Sequence, residues 1–332
     1  MYKLFAVGLV ALLPALGQVK ITPGANQIAV EIDGKPYTTF FYGPKQPKPY
    51  LHPLRAASGT VVTRGFPMET IAGELTDHPH QRAVWFAHQS VNGYDYWNNE
   101  FEYEKDPKYK GKIGHIFVTK ITSSKGGAKS GEIGFSAEWK QLDGVVVLTE
   151  DRKMTFHSGT GENRFVDFDI VMTAKGKVTF GDEKDGVFGI RLAAGLEEPD
   201  AKSPAEPKRT GVMTNAQGCR LEAECWGKRS EWMDFSGVVE GKPVGVAIFD
   251  HPENPRFPAY WHARGYGLFA NNIFGVHDFT KGKQTDGAMT LQDGEKLHFR
   301  YRVAIHPGDA GQAKVGELFK AYGASAGKSA GK

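Results

Sequence analysis

Cysteine is nearly absent from this sequence: two occur in 332 residues, so neither a cysteine-built metal site nor a disulfide framework is expected to hold the fold together. An excess of either charge is lacking too. The 41 lysines and arginines against 38 aspartates and glutamates leave a formal charge of +3. No basic run exceeds two or three residues, whereas a nucleic-acid partner needs clustered positive charge to neutralise phosphates. Beyond the first residues no apolar run approaches the roughly 20 residues of a spanning helix. A Gly-x-Ser-x-Gly elbow, a phosphate loop and a dinucleotide fingerprint are all missing, which weakens serine-hydrolase, nucleotide and NAD chemistry. Segments of helical period are missing until Val315, Leu318, Phe319 and Tyr322, which share one face of a short C-terminal helix.

What is abundant is turn-forming and aromatic. With 41 glycines, 18 prolines and 12% aromatic residues, the composition suits a β-rich globular fold with many turns. Short alternating runs bear this out along the chain: Gln27 to Asp33 closed by Asp33-Gly34, Val145 to Thr149, Arg164 to Met172, Gly186 to Leu192, Pro243 to Phe249 and Lys296 to Ile305. Pro44 to Pro53 reads as an extended connection, Lys120 to Gly131 as a hairpin loop and Glu197 to Gly211 as an exposed excursion. None isolates a second core. The expectation is an all-β fold, one large antiparallel β-sandwich of supersandwich size over 18–322, with 323–332 as a loose tail.

The amino terminus reads as separate from that fold. A lysine at position 3, an apolar stretch from Leu4 to Leu16 and the small residues Ala15-Leu16-Gly17 form a secretory signal, 1–17, cleaved after Gly17. A secreted or periplasmic protein follows, with no membrane span after cleavage. Cys219 and Cys225 would lie about 20 Å apart on one extended strand, far beyond bridging reach. A bond would require a turn between them, and two free buried thiols are expected.

Two stretches concentrate chemistry. Asp77 to Trp97 holds three histidines, an arginine, an asparagine, two aspartates and two tryptophans in 21 residues, and Asp250 to Arg264 runs on through Tyr266 to Asn272. Asp77-His78-Pro79 recurs as Asp250-His251-Pro252, with Arg82 and Arg256 following, as though two strand ends delivered the same chemistry to one cleft. Sugar rings stack on aromatic faces and exchange hydrogen bonds with charged and amide groups. Trp85, Tyr94, Trp97 and Trp261 are therefore the candidate platforms. The candidate polar contacts are His78, Arg82, His88 and Asn92 from the first stretch, and Arg256, Arg264 and Asn271 from the second. For proton transfer the candidate catalytic groups are His80 or His262 as base, with Asp77, Asp250 or Glu197 as the carboxylate. His78-x-His80 also invites a metal reading, completed by His88 or His262. Position 84 is valine where a cupin needs glutamate, and Pro79 interrupts a regular strand.

Asp77-His-Pro-His-Gln-Arg, Phe86-Ala-His and Val91-Asn-Gly-Tyr-Asp-Tyr-Trp resemble an exported bacterial family often labelled "methane oxygenase PmoA", a domain of unknown function. The later runs Gly245 to Arg256, Trp261-His-Ala-Arg, Tyr266 to Asn272 and Arg300 to His306 are similar to it as well, so the resemblance covers about residues 25 to 320. Gln81 departs from a third histidine in that pattern. The resemblance implies a galactose-mutarotase-like supersandwich, whose members act on or bind sugars. It does not bring membrane-oxygenase chemistry with it, since such a subunit needs several spanning helices.

The expectation is an exported carbohydrate-binding protein, with a carbohydrate ligand as its partner and no cofactor, acting by histidine/carboxylate acid-base chemistry of epimerase, lyase or glycosidase type. A non-catalytic carbohydrate-binding module is the alternative. A metal-dependent oxygenase or hydrolase using the histidine cluster is the second.

Overall fold

The computed structural model describes residues 17–159, 161–200 and 203–326; the expected signal segment, apart from Gly17, lies outside them. In chain order the strands are β1 (Val19–Gly24), β2 (Gln27–Ile32), β3 (Lys35–Phe41), β4 (Tyr50–His52), β5 (Val84–His88), β6 (Gly114–Lys125), β7 (Ser130–Gln141), β8 (Val146–His157), β9 (Arg164–Ala174), β10 (Val178–Phe180), β11 (Gly186–Arg191), β12 (Val212–Asn215), β13 (Trp232–Val239), β14 (Lys242–Asp250), β15 (Tyr260–Arg264), β16 (Leu268–Asn272), β17 (Met289–Leu291) and β18 (Lys296–Pro307). The α-helices are α1 (Leu221–Cys225), α2 (Val276–Phe279) and α3 (Val315–Ala326).

The strands form two eight-stranded sheets. The first has the order β1-β2-β3-β4-β5-β11-β16-β15, the second β12-β13-β14-β18-β9-β8-β7-β6, and β10 pairs with β17 in a small ribbon. Every strand pairing is antiparallel. This is the large all-β sandwich that the alternating runs imply. β9 shows the rule at residue level: Val166, Phe168, Ile170 and Met172 are buried while Asp167, Asp169 and Val171 are half-exposed, because successive side chains leave a strand on opposite faces. Asp33 at φ 54 and Gly34 at φ 73 make the two-residue loop that pairs Ile32 with Lys35, a turn whose left-handed backbone favours this residue pair.

One core cluster fills the space between the sheets. Phe188 of the first sheet lies 4.7 Å from Phe168 and 4.6 Å from Tyr301 of the second, centroid to centroid. Phe86 meets Phe299 at 5.5 Å and Phe235 meets Phe269 at 4.9 Å. Each large side chain so buried contributes about 1.5–3 kcal/mol of transfer free energy. α3 covers part of the second sheet's outer face, where Val315 and Tyr322 pack with Ala247, Phe249 and Ala304. The helix runs through Ala326, into the segment expected as tail.

Three local expectations change. The Lys120 to Gly131 stretch is mostly strand, since β6 reaches Lys125 and β7 starts at Ser130. Within the excursion after Glu197, that glutamate and Arg209 are buried and joined by a 2.7 Å ion pair. Cys219 and Cys225 are bonded to each other, not free: the single helical turn of α1 between them brings their Cα atoms to 5.3 Å, within bridging distance.

Candidate active site

Residues directly opposite in antiparallel strands share a face. Trp85 pairs with Gly189, Gly189 with Ala270 and Ala270 with His262, so one rung of the first sheet carries these four. Phe188 faces the second sheet, so its neighbour Gly189 and the whole rung face away from it. Arg191 and Arg264, two residues further along their strands and both opposite Leu268, share that outer face. Gly189 and Ala270 leave the middle of the rung with almost no side chain.

Over this face hangs the segment from Asp77 to Gln81, held by two arginines that are themselves fully buried. Arg64 donates from Nη1 to the carbonyl oxygens of Leu75 and Asp77 and to Oδ1 of Asp77 at 2.7 Å, and from Nη2 to the carbonyl oxygens of His78 and Gln81. Arg191 donates from Nη1 to Oε1 of Gln81 at 2.6 Å and from Nη2 to Oδ1 of Asp77 at 3.1 Å. Burial would raise the Asp77 carboxyl, but His78, Arg191 and Arg64 hold it far below the usual carboxylate range. This anchoring sustains a left-handed backbone at His78, φ 47, a conformation costing of order 1 kcal/mol for such a residue.

The segment presents two imidazoles differently. His78 is 41% exposed, pairs through Nδ1 with Asp77 at 2.8 Å, and lies face to face on Tyr266, ring centroids 5.3 Å apart. Arg191 stacks on Tyr266 from 4.5 Å. His80 is buried, its ring centroid 5.6 Å from that of His78, and its Nδ1 has no hydrogen-bond partner. Burial, and then the positive charge of Lys48, push its pKa well below 6.5, so the imidazole is neutral at pH 7. Lys48 is itself fully buried, donating to the Trp97 carbonyl and to Asn99, and burial lowers its pKa to about 7.

Asp185, just before β11, is the opposite charge in this group. Its Oδ1 is 3.3 Å from Nδ1 of His262, an ion-pair distance without hydrogen-bond alignment, and its Oδ2 is 3.2 Å from Lys184. Burial would raise it, but His262 and Lys184 hold it far below its ordinary value. His262 is buried, with 4% of its side chain exposed. A neutral imidazole without a partner and a second imidazole beside a carboxylate are the parts that proton transfer requires. Among the described residues no three His, Cys, Asp or Glu side chains are grouped to hold a metal ion.

Of the residues singled out from sequence, Asp77, His78, His80, His262 and Arg264 come together on this face. The others do not serve it. Trp85 and Trp97 lie over Gly189 but are 1% exposed, and Trp261 is fully buried with Nε1 bonded to the Ser230 carbonyl; a sugar ring cannot reach their faces. Arg82 is taken up by Glu100 and Gln46, and Arg256 by the carbonyl oxygens of Ile273, Gly287 and Ala288. His88 is fully buried against Phe274 and bonded to the Gly181 carbonyl. Asn92 is a turn residue at φ 52 that accepts from the Thr179 N–H. Asp250 and Asn271 are buried, and Asp250 is held by Asn254 and the Ala259 N–H. Asp250-His251-Pro252 therefore ends β14 in the second sheet, and the repeated tripeptide serves two places instead of one cleft. Glu197 is spent on Arg209. Sequence reasoning missed Lys48, Arg64, Asp185 and Arg191 as parts of the site. Only Arg191 carried a signal, as a charge inside an apolar strand.

A family of unknown function, DUF6807, matches residues 27–320. No curated protein matches the chain. Among solved structures, a galactose mutarotase related enzyme from Lactobacillus acidophilus is similar at 10% identity and a TM-score of 0.28, over 88% of this chain and 98% of that one. An aldose epimerase homologue from C. elegans is similar at 9% identity and 0.32, over 88% and 100%. A polysaccharide lyase is similar at 10% identity and 0.28, over 82% of this chain and 33% of that one.

Proposed function

The chain belongs to the DUF6807 family of unknown function, and for this member we propose a carbohydrate-active protein that binds a sugar over the outer face of the first sheet and transfers protons on it. His80 is the base and His262 the acid, with the Asp185 carboxylate 3.3 Å from Nδ1 of His262. The observation that carries this reading is the buried, neutral His80 with an unpartnered Nδ1, on the same face as the Asp185–His262 pair and within electrostatic reach of Asp185. Tyr266 with His78 stacked on it supplies a flat wall for a sugar ring, and Asp77 and Arg264 are half-exposed hydroxyl partners at the rim. Donor and acceptor are both side chains, so the reading requires no cofactor. Epimerase, lyase and glycosidase chemistry all draw on such a pair.

An oxidising compartment accords with this reading. The apolar stretch from Leu4 to Leu16 has the pattern of a secretory signal, and the Cys219–Cys225 bond is of a kind that persists mainly outside the cytosol. Among the described residues no helix is long and apolar enough to cross a membrane.

The test is a thermal-shift screen of the chain from Gln18 against mono- and oligosaccharides, since a ligand at 100 times its Kd stabilises by about 2.7 kcal/mol. The saccharide that shifts the melting point is then assayed for anomer exchange, new reducing ends and unsaturated products. His80→Ala and His262→Ala are expected to abolish turnover while leaving part of the affinity. No shift with any saccharide, or unchanged turnover in both variants, would overturn the reading.

A further inference from the structure

Glu222 sits inside the seven-residue loop that the Cys219–Cys225 bond closes, and it reaches out of that loop into the wall of the site. Its Oε1 is 3.0 Å from Nε of Arg264, and its Oε2 accepts the Gly265 N–H at 2.7 Å. Its own N–H donates to Oε1 of Glu198 at 2.8 Å. Arg264 and Gly265 open the β15–β16 turn, and the next residue is Tyr266, on which His78 is stacked. Besides the disulfide, the loop is tied at its start, where Asn215 Oδ1 accepts the Cys219 N–H and Glu224 Oε2 accepts the Arg220 N–H, while α1 itself is weak. α1 has five residues, no side-chain cap at Arg220 and a left-handed Leu221 at φ 64, and a helix of that length does not hold itself in water. Arg220, Leu221, Ala223 and Glu224 are exposed, and only Cys225 is buried in the core.

We propose that the Cys219–Cys225 bond is a redox-sensitive clamp, with Glu222 as the positioning residue through which it sets the Tyr266–His78 wall. In the oxidised chain the closed loop presses Glu222 against Arg264 and Gly265. Reduction frees α1 and releases that contact. The exchange balances with an external dithiol: its thiolate attacks Sγ of the more exposed Cys219, Cys225 leaves as thiolate and takes a proton, and the second thiol resolves the mixed disulfide, leaving two protein thiols and an oxidised dithiol. The hairpin itself stays in the sheet, because Gly265 and Gly267 still accept from the N–H groups of Glu198 and Leu192. What moves is the tip. The site is thereby completed only where the disulfide forms, an oxidising compartment. The clamp adds control of one wall to the proposed site, and its test needs no ligand.

The experiment reads the ring signals of His78 by proton-carbon NMR of the whole chain, assigned with His78→Gln. The Tyr266 ring displaces those signals through its ring current. Reduction with dithiothreitol, verified by titration of two new thiols, is expected to remove that displacement while the signals of His157 and His298 on the second sheet stay in place. Glu222→Gln, with the disulfide intact, is expected to move the His78 signals in the same direction, which also decides the matter if the reduced chain unfolds. An unmoved His78 in the Glu222→Gln variant, or after verified reduction of the folded chain, overturns the proposal. So does an equal movement of all three histidines, which would mark a general loosening. Failure of the saccharide screen leaves this result untouched, and the converse holds as well.

Discussion

Arg191 donates to the side-chain oxygen of Gln81 at 2.6 Å across 110 residues of chain, so a strand in the middle of the first sheet fixes the loop that presents His78 and His80. The same guanidinium reaches Asp77 and lies over Tyr266. Arg191→Met is expected to destabilise the protein by about 1–3 kcal/mol, because it leaves the buried Gln81 side-chain oxygen without its donor. Urea unfolding measures it. Arg191→Lys should not restore stability, since an ammonium cannot supply the planar donors both partners use. Full rescue by lysine would mean that the charge alone matters.

Lys48 provides the largest charge effect on His80, acting in the same direction as burial. Removing a positive charge eases protonation of a neighbouring imidazole, so Lys48→Met should raise the His80 pKa. An NMR titration of the His80 ring reads this directly. If His80 is the base, the acidic limb of the activity profile moves to higher pH with it.

His88 is fully buried, and desolvation lowers its pKa to about 4 despite the Gly181 carbonyl beside it. The unfolded chain takes up a proton below about 6.5 while the folded chain refuses it until about 4. Stability is therefore lost as pH falls through that window, by about 3 kcal/mol for this one group. In His88→Asn the urea midpoint at pH 7.5 should be lower, but its decline between pH 6.5 and 4 should be shallower by about one proton. Parallel slopes in the two proteins would refute the assignment.

A Cβ on Gly189 would stand 3.0 Å from Cζ2 of Trp85 and Cη2 of Trp97. The two indoles, 4.9 Å apart between centroids, have no room to retreat, so Gly189→Ala is expected to cost about 1–3 kcal/mol by overpacking. Thermal melting checks it, and an unchanged melting point would show the layer over the sheet to be loosely packed.

Much of the architecture was legible because a strand's burial pattern is local. Arg164 to Met172 and Lys296 to Ile305 announce their inward faces by period two, and Asp33-Gly34 announces its hairpin. The catalytic reading was legible only in part. His78, His80 and His262 stand out as a histidine concentration, but the tryptophans beside them look the same in sequence whether they line a cleft or fill a core. Trp85 is sealed because Trp97 folds onto it over Gly189, and no spacing rule encodes that contact. The disulfide was missed for a related reason: whether six residues span 20 Å or return to 5.3 Å depends on one helical turn that a five-residue segment does not specify by itself.

By itself the sequence determined the class of fold, the faces of its longest strands and the residue types available for chemistry, since these follow from side-chain period, turn preference and composition. Only the tertiary structure decided which of those residues meet. Asp77 and Asp250 open identical tripeptides, yet one is held by Arg64 and Arg191 beside two imidazoles while the other is buried as a bracket for the chain after β14. Burial and opposite charge, both products of long-range packing, separate the two carboxyls, lowering the pKa of the first and raising that of the second to about 6.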